Sequence, residues 1–199
     1  SIRTDFNINF IEPRLLDSEI SFSVNAFNED QDFLSFDSQS TGIGFGFGKN
    51  LSEYESVSLG YRFASVETSG IAAADETEFF KNQTRVTSRI SPKFFYDSRD
   101  NFLNPSTGWR HVLGFELAGL GGSKFTKSLY EVTYYRPVVG KLVFGAHARV
   151  NYAEGYGGEE VPSFERFFMG GATSLRGFKL TDVGPKNDDG NPIGGNKSL

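Results

Sequence analysis

The chain has 199 residues, with 20 Lys and Arg against 25 Asp and Glu, a net charge of −5, no Cys and only two histidines, His111 and His147. That composition excludes disulfides, thiolate chemistry and a histidine-rich metal centre, and without a long basic run it gives no nucleic-acid-binding surface. Aromatic residues make up 15% of the chain, 21 of them Phe, yet hydrophobic residues total only 38%. No apolar run approaches the ~18 residues of a membrane helix, so β structure is the class that fits.

Period-two alternation recurs along the chain, and helical spacing fails almost everywhere. In Thr4–Glu12, Phe6, Ile8 and Phe10 oppose Asp5, Asn7 and Asn9. Glu19–Asn28 sets Ile20, Phe22, Val24 and Ala26 against Ser21, Ser23 and Asn25. Asp37–Gly48 sets Ile43, Phe45 and Phe47 against Gly42, Gly44, Gly46 and Gly48, and Tyr54–Val66 sets Val57, Leu59, Tyr61 and Phe63 against Ser56, Ser58, Gly60 and Arg62. Four more strands are predicted at Thr84–Asp97, Trp109–Gly119, Thr126–Pro137 and Lys141–Ala153. The connections alternate: short at Pro13–Ser18, Lys49–Glu53 and Val138–Gly140, intermediate at Ser98–Gly108, and long between, most clearly at Glu67–Gln83.

An all-β, antiparallel up-and-down meander of about eight strands, with short turns at one end, is the pattern of an outer-membrane barrel. The polar faces decide against a soluble sandwich: they are Gly, Ser and Asn with isolated Arg, suited to a wet or loop-filled lumen, while the opposite faces carry bare Phe, Ile, Val and Leu. Aromatics near strand ends (Phe6, Phe10, Tyr54, Phe63, Tyr96, Trp109, Tyr152) suit a headgroup girdle. Phe6, Ile8, Phe45, Phe47, Leu59, Phe115, Phe144 and Val150 are therefore expected to point outward, and Arg62, Arg89, Arg110, Glu116, His147 and Arg149 inward.

No stretch supplies a credible catalytic centre, metal site or cofactor site. Gly42–Gly48 is neither G-x-G-x-x-G nor a Walker loop; it reads as a strand whose inner face is stripped to glycine so that backbone or a folded loop can approach. Asp97, Arg99 and Asp100 read as a salt-bridged turn before Pro105 and Gly108. His147 has no serine at triad spacing and reads as a hydrated inward histidine. The segment Phe164–Lys186 differs: Phe164, Phe167 and Phe168, then Gly170 and Gly171, then Arg176-Gly177-Phe178, lie in a long aperiodic loop. Apolar loop residues are unfavourable in water unless they dock, so this loop is expected to fold back into the lumen, with Arg176 either poorly ordered or meeting an acidic group such as Glu116 or backbone carbonyls.

Leu175-Arg176-Gly177-Phe178 resembles the (V/L)RGF motif of the sixth extracellular loop of the outer-membrane insertase and transporter superfamily, Omp85. Phe168, Gly170, Gly171 and Ser174 match the residues that precede that motif. Gly184-Pro185-Lys186, and Tyr96–Asn101 followed by Pro105–Gly108, resemble the BamA branch more than the two-partner secretion transporters that share the RGF core.

The resemblance implies that the strands are the fourth to eleventh of a sixteen-stranded transmembrane barrel, with residues 1–153 as wall, 154–195 as the lumenal or extracellular loop and 196–199 as the start of the next strand. The chain starts at Ser1 and stops soon after a Gly/Asn/Pro-rich stretch, so it reads as a piece of a longer protein. The function so implied is non-enzymatic insertion of β-barrel proteins into the bacterial outer membrane, with a secretion pore or passive channel as the alternative. It needs no cofactor. The implied partners are outer-membrane lipid, unfolded β-barrel clients, accessory lipoproteins that engage POTRA domains, and a second copy of the chain through open strand edges. The functional residues it marks are Gly170, Gly171, Ser174, Leu175, Arg176, Gly177 and Phe178.

Overall fold

The computed structural model describes residues 5–33, 36–71, 81–172, 174–179, 181–188 and 190–199. They form one antiparallel sheet: β1 (Phe6–Glu12), β2 (Ile20–Asp32), β3 (Asp37–Asn50), β4 (Glu55–Ser69), β5 (Gln83–Asp97), β6 (Gly108–Ala118), β7 (Phe125–Val139), β8 (Leu142–Gly155) and the two-residue β9 (Lys197–Ser198). Strand order follows chain order from β1 to β9. Short 3-10 turns occur at Leu15–Asp17 and Ser163–Glu165, and no described helix is long and apolar enough to cross a membrane.

All eight predicted strands are present, but several run further than the apolar alternation suggests. β2 continues through Glu29–Asp32, pairing Asp32 with Asp37, so the connection to β3 is only residues 33–36. The β6–β7 connection is likewise short, residues 119–124, and β8 passes Ala153 to end at Gly155. Backbone pairing needs no apolar face, so ladders extend into polar sequence where the strands leave the apolar band. Thr4 and residues 72–80, in the expected Glu67–Gln83 connection, lie outside the described residues.

Register assigns each side chain a face, because neighbours along a strand alternate. Phe6, Ile8, Phe45, Phe47, Leu59, Phe115, Phe144 and Val150 all lie on one face, each at least 36% exposed. The other face carries Arg62, Arg89, Arg110, Glu116, His147 and Arg149, as expected, and is where the chain's buried side chains gather. The glycines of β3 sit on this inner face, but β2 side chains fill the space they leave, not a folded loop. A Cβ at Gly42 would stand 2.8 Å from the Phe27 ring, and one at Gly44 2.2 Å from Asn25 Oδ1. Phe27 is fully buried there, with the Arg62 guanidinium 3.6 Å above its ring.

At the short-turn end the predicted salt-bridged turn forms. Arg99 donates to both oxygens of Asp97, at 2.9 and 2.7 Å. Asp100 accepts from the amides of Ser106 and Thr107 and from the Ser106 hydroxyl, and these bonds hold its carboxyl down at about 2.

Two outcomes are expected. Phe45→Arg places a charge on the bare face and should destabilise the chain in lipid vesicles by ~2–4 kcal/mol, whereas Asn9→Arg on the inner face should change stability little in the same denaturant titration. Asp100 titrates below its ordinary value, so its bonds to Ser106 and Thr107 are fully present above the usual carboxylate range and lost as pH falls through about 2. A carboxyl NMR titration of Asp100 should show it ionised at pH 4, and Ser106→Ala should move its midpoint upward.

Candidate functional site: the loop docked on the inner face

After β8 the chain turns back over the inner face. Tyr156 anchors the turn, its hydroxyl donating to the Ala118 carbonyl at 2.7 Å. Val161 is fully buried against Ala118, Phe125 and Ala153, and Phe167 packs on the same cluster. Phe164 lies against Phe27, Ala64 and Val66, and also meets Phe36 and Ile71. Phe168 stacks toward Phe33 at 4.7 Å between ring centroids, completing a third cluster with Ile193. The three loop aromatics thus dock on the wall as apolar groups should.

Between these apolar clusters lies an ionic one. The 3-10 turn Ser163–Glu165 presents Glu165, 8% exposed, to two cations of the wall. Arg89 Nη1 on β5 donates to Oε1 at 2.9 Å, and Lys127 Nζ on β7 donates to Oε2 at 2.5 Å. Arg89 also lies 3.3 Å from Glu116 on β6, so two cations face two carboxylates and the cluster is balanced. Lys127 further sits 5.3 Å from the Phe167 ring centroid, a cation–π contact within the docked segment. Pairing and hydrogen bonding together make the burial of Glu165 tolerable. A second carboxylate, Glu131, is held by Arg110 and by Arg149 Nε at 2.7 Å, with His147 Nε2 at 3.8 Å.

The glycine-rich motif lies beyond this dock and is organised by its own backbone. Gly170 N donates to Ser174 Oγ at 2.8 Å, and the same hydroxyl donates to Gly170 O at 2.9 Å. Gly171 N donates to Phe178 O at 3.1 Å. Gly170 has φ +122, and a Cβ there would stand 2.2 Å from Lys179 O, so glycine is required. Lys186 Nζ donates to Asp182 at 2.7 Å and lowers that carboxyl's pKa. Leu175, Arg176, Gly177 and Phe178 are exposed, Phe178 by 58%. Thr173 and Leu180, within this stretch, lie outside the described residues.

The expectation that Arg176 meets Glu116 is therefore corrected. Arg176 pairs with no carboxylate among the described residues, and Glu116 is engaged by Arg89. The wall under the loop is cationic, at Arg89 and Lys127, so the ion the loop sends inward is the acidic Glu165. Sequence reasoning placed Arg89 and Glu116 on the right face but missed Glu165, Lys127 and Tyr156. The available signal was a lone carboxylate between Phe164 and Phe167 in a segment already expected to dock.

Comparison with known proteins agrees with this architecture. The Omp85 superfamily domain matches residues 1–199. BamA of Nitratidesulfovibrio vulgaris, an outer membrane protein assembly factor, is 28% identical over 98% of this chain and 25% of its own length. The human sorting and assembly machinery component 50 homolog is 26% identical over 96% of this chain and 42% of its own. The crystal structure of Haemophilus ducreyi BamA lacking POTRA domains 1–3 superposes with a TM-score of 0.85 at 21% identity, over 97% of this chain and 43% of that one. The chain thus spans between a quarter and less than half of the proteins it matches.

Glu165→Gln keeps the shape but removes the charge that Arg89 and Lys127 face. It should weaken docking of the loop by about 2–3 kcal/mol, read as faster proteolysis between β8 and β9 with the strands intact. Asp188→Asn, at an exposed carboxylate further along the same connection, should leave the cleavage rate unchanged.

Proposed function

The chain belongs to the Omp85 superfamily, and from that membership we propose that it forms part of the membrane wall, and the inward-folded loop, of an outer-membrane insertase. Such a protein assists other β-barrel chains to fold into the bilayer without covalent chemistry. The observation that carries the reading is a loop clamped through Glu165 to the inner face of a sheet whose outer face is bare and apolar. Residues up to Gly155 supply wall, two further than the alternation suggests, 156–195 the loop and 196–199 the start of a further strand; β9 already pairs with Asn151 and Tyr152. The partners in this reading are outer-membrane lipid and unfolded β-barrel clients. Accessory lipoproteins would engage POTRA domains outside these 199 residues. The outer edge of β1, and the edge of β8 beyond its short pairing with β9, would pair with further strands or a second copy.

The dock and the tip then have separate roles. Phe164, Glu165 and Phe167 fix the base of the loop, and that leaves Leu175-Arg176-Gly177-Phe178 presented to solvent on a rigid support. An exposed guanidinium on a fixed turn is suited to a carboxylate or carbonyl partner supplied by another segment or chain.

In the protein that carries this sequence, Arg176→Ala should slow assembly of a model client barrel several-fold while leaving the strands folded, and Arg176→Lys should rescue only in part, since a point charge replaces a planar fork. Assembly kinetics with heat-modifiability as the folding control make the test. Wild-type rates in the Ala variant would remove the role given to the motif.

A further inference from the structure

The outer face is not uniformly smooth. Pro92 lies within β5 and has no N–H to give to a ladder. The β4–β5 pairing runs through it, Leu59 opposite Pro92, but the β5–β6 register passes from Ile90↔Leu117 to Lys93↔Gly114 without pairing the residues between. A groove of about 600 Å³ lies along this interruption, bordered by Pro92, Phe94, Leu113 and Phe115. It continues, through Phe94 and Leu113, into a second hollow of about 570 Å³ at the short-turn end.

That second hollow has a different chemistry. Tyr96, Trp109, His111 and Tyr130 line it as a connected set of rings: Trp109 stacks on His111 at 5.5 Å, Tyr96 lies 5.8 Å from His111, and the Tyr130 hydroxyl is 3.0 Å from His111 Nδ1. Glu55 closes one side, paired in register with Tyr96. Its carboxylate accepts from the Ser52 hydroxyl at 3.2 Å and pairs with no cation among the described residues. A carboxylate without a counterion, beside an apolar groove and at the level of an aromatic belt, calls for a cation.

We propose that this continuous groove and cage bind one phospholipid with a cationic amine headgroup. An acyl chain lies along the Pro92 interruption. The ammonium sits against the Tyr96 ring and Glu55, beside the Trp109 ring that stacks on His111, where ring quadrupole and carboxylate both attract it. In the tautomer in which Tyr130 donates to Nδ1, His111 Nε2–H is left to meet the phosphate. The occupant follows from charge complementarity: an anionic headgroup would be repelled by Glu55, and an uncharged one would leave it unpaired. Short turns mark the periplasmic side of outer-membrane barrels, so the site faces that leaflet. The inference rests on the reading that this face meets lipid.

Trp109 is the only tryptophan in the chain, so it reports on its own site. The protein that carries this sequence, with tryptophans outside these 199 residues replaced by Phe, is reconstituted in vesicles that mix phosphatidylglycerol with phosphatidylethanolamine, or with phosphatidylcholine, and one component at a time carries brominated acyl chains. Quenching of Trp109 should give a relative association constant about three- to five-fold in favour of each amine-headed lipid over phosphatidylglycerol. Glu55→Gln should bring that ratio close to one, and Glu12→Gln, at another outward carboxylate of the same end, should leave it unchanged. Heat-modifiability confirms that each variant is folded. Equal quenching by all three lipids, or selectivity that survives Glu55→Gln, overturns the proposal while leaving the membrane reading intact. Quenching by none of them overturns the membrane reading itself.

Discussion

The contact of Glu165 with Arg89 and Lys127 is the constraint on which the arrangement of the inner face depends. It joins residues 76 and 38 positions apart in sequence and crosses from the loop to two different strands. In a partly desolvated site such a pair is strong only if every charge is matched, and Glu116 supplies the remaining negative charge beside Arg89. The apolar clusters on either side, around Phe164 and Phe167, exclude water from the ion pairs and so strengthen them. Hydrophobic burial brings the loop to the wall; the ions fix where along the wall it stops.

The outer face obeys the opposite rule. Phenylalanines and aliphatic residues stand exposed along every long strand, an arrangement that water would penalise and a bilayer rewards. Rings gather at the short-turn end, where Trp109 and Tyr134 lie 4.1 Å apart and Tyr54 and Tyr96 6.4 Å apart. The wall therefore sorts its side chains by surroundings: exposed rings and alkyl groups on the outer face, and on the inner face balanced ions, small polar groups and the apolar clusters that meet the loop. A loop held by ions on the interior side does not compete with lipid for the same residues.

Much of this was legible in the sequence, for reasons that can be stated residue by residue. Phe45, Phe47 and Leu59 announced their face because a strand has a period of two and the register cannot slip by one without turning every side chain over. Strand ends were less legible: Glu29, Asp30, Gln31 and Asp32 look like loop, yet their backbones continue the ladder to β3. The docking of Phe164, Phe167 and Phe168 followed from their hydrophobicity alone. Which charge accompanies them did not, because sequence cannot show that Glu165, rather than the nearby Glu159 or Glu160, arrives opposite Arg89. Arg176 drew attention as part of a motif, but prominence in a motif is not burial, and the structure leaves it exposed.

Hydrogen exchange of the chain in lipid vesicles tests the clamped loop most directly. The amides of Glu165, Arg166 and Phe167 are hydrogen-bonded, Phe167 to the Gly195 carbonyl at 2.8 Å, within a buried segment. Peptides covering 161–169 should exchange as slowly as those of β6 to β8, while peptides covering 174–179 exchange orders of magnitude faster. Uniformly fast exchange across the whole connection from β8 to β9 would show that the loop is not held on the wall, and would contradict the account.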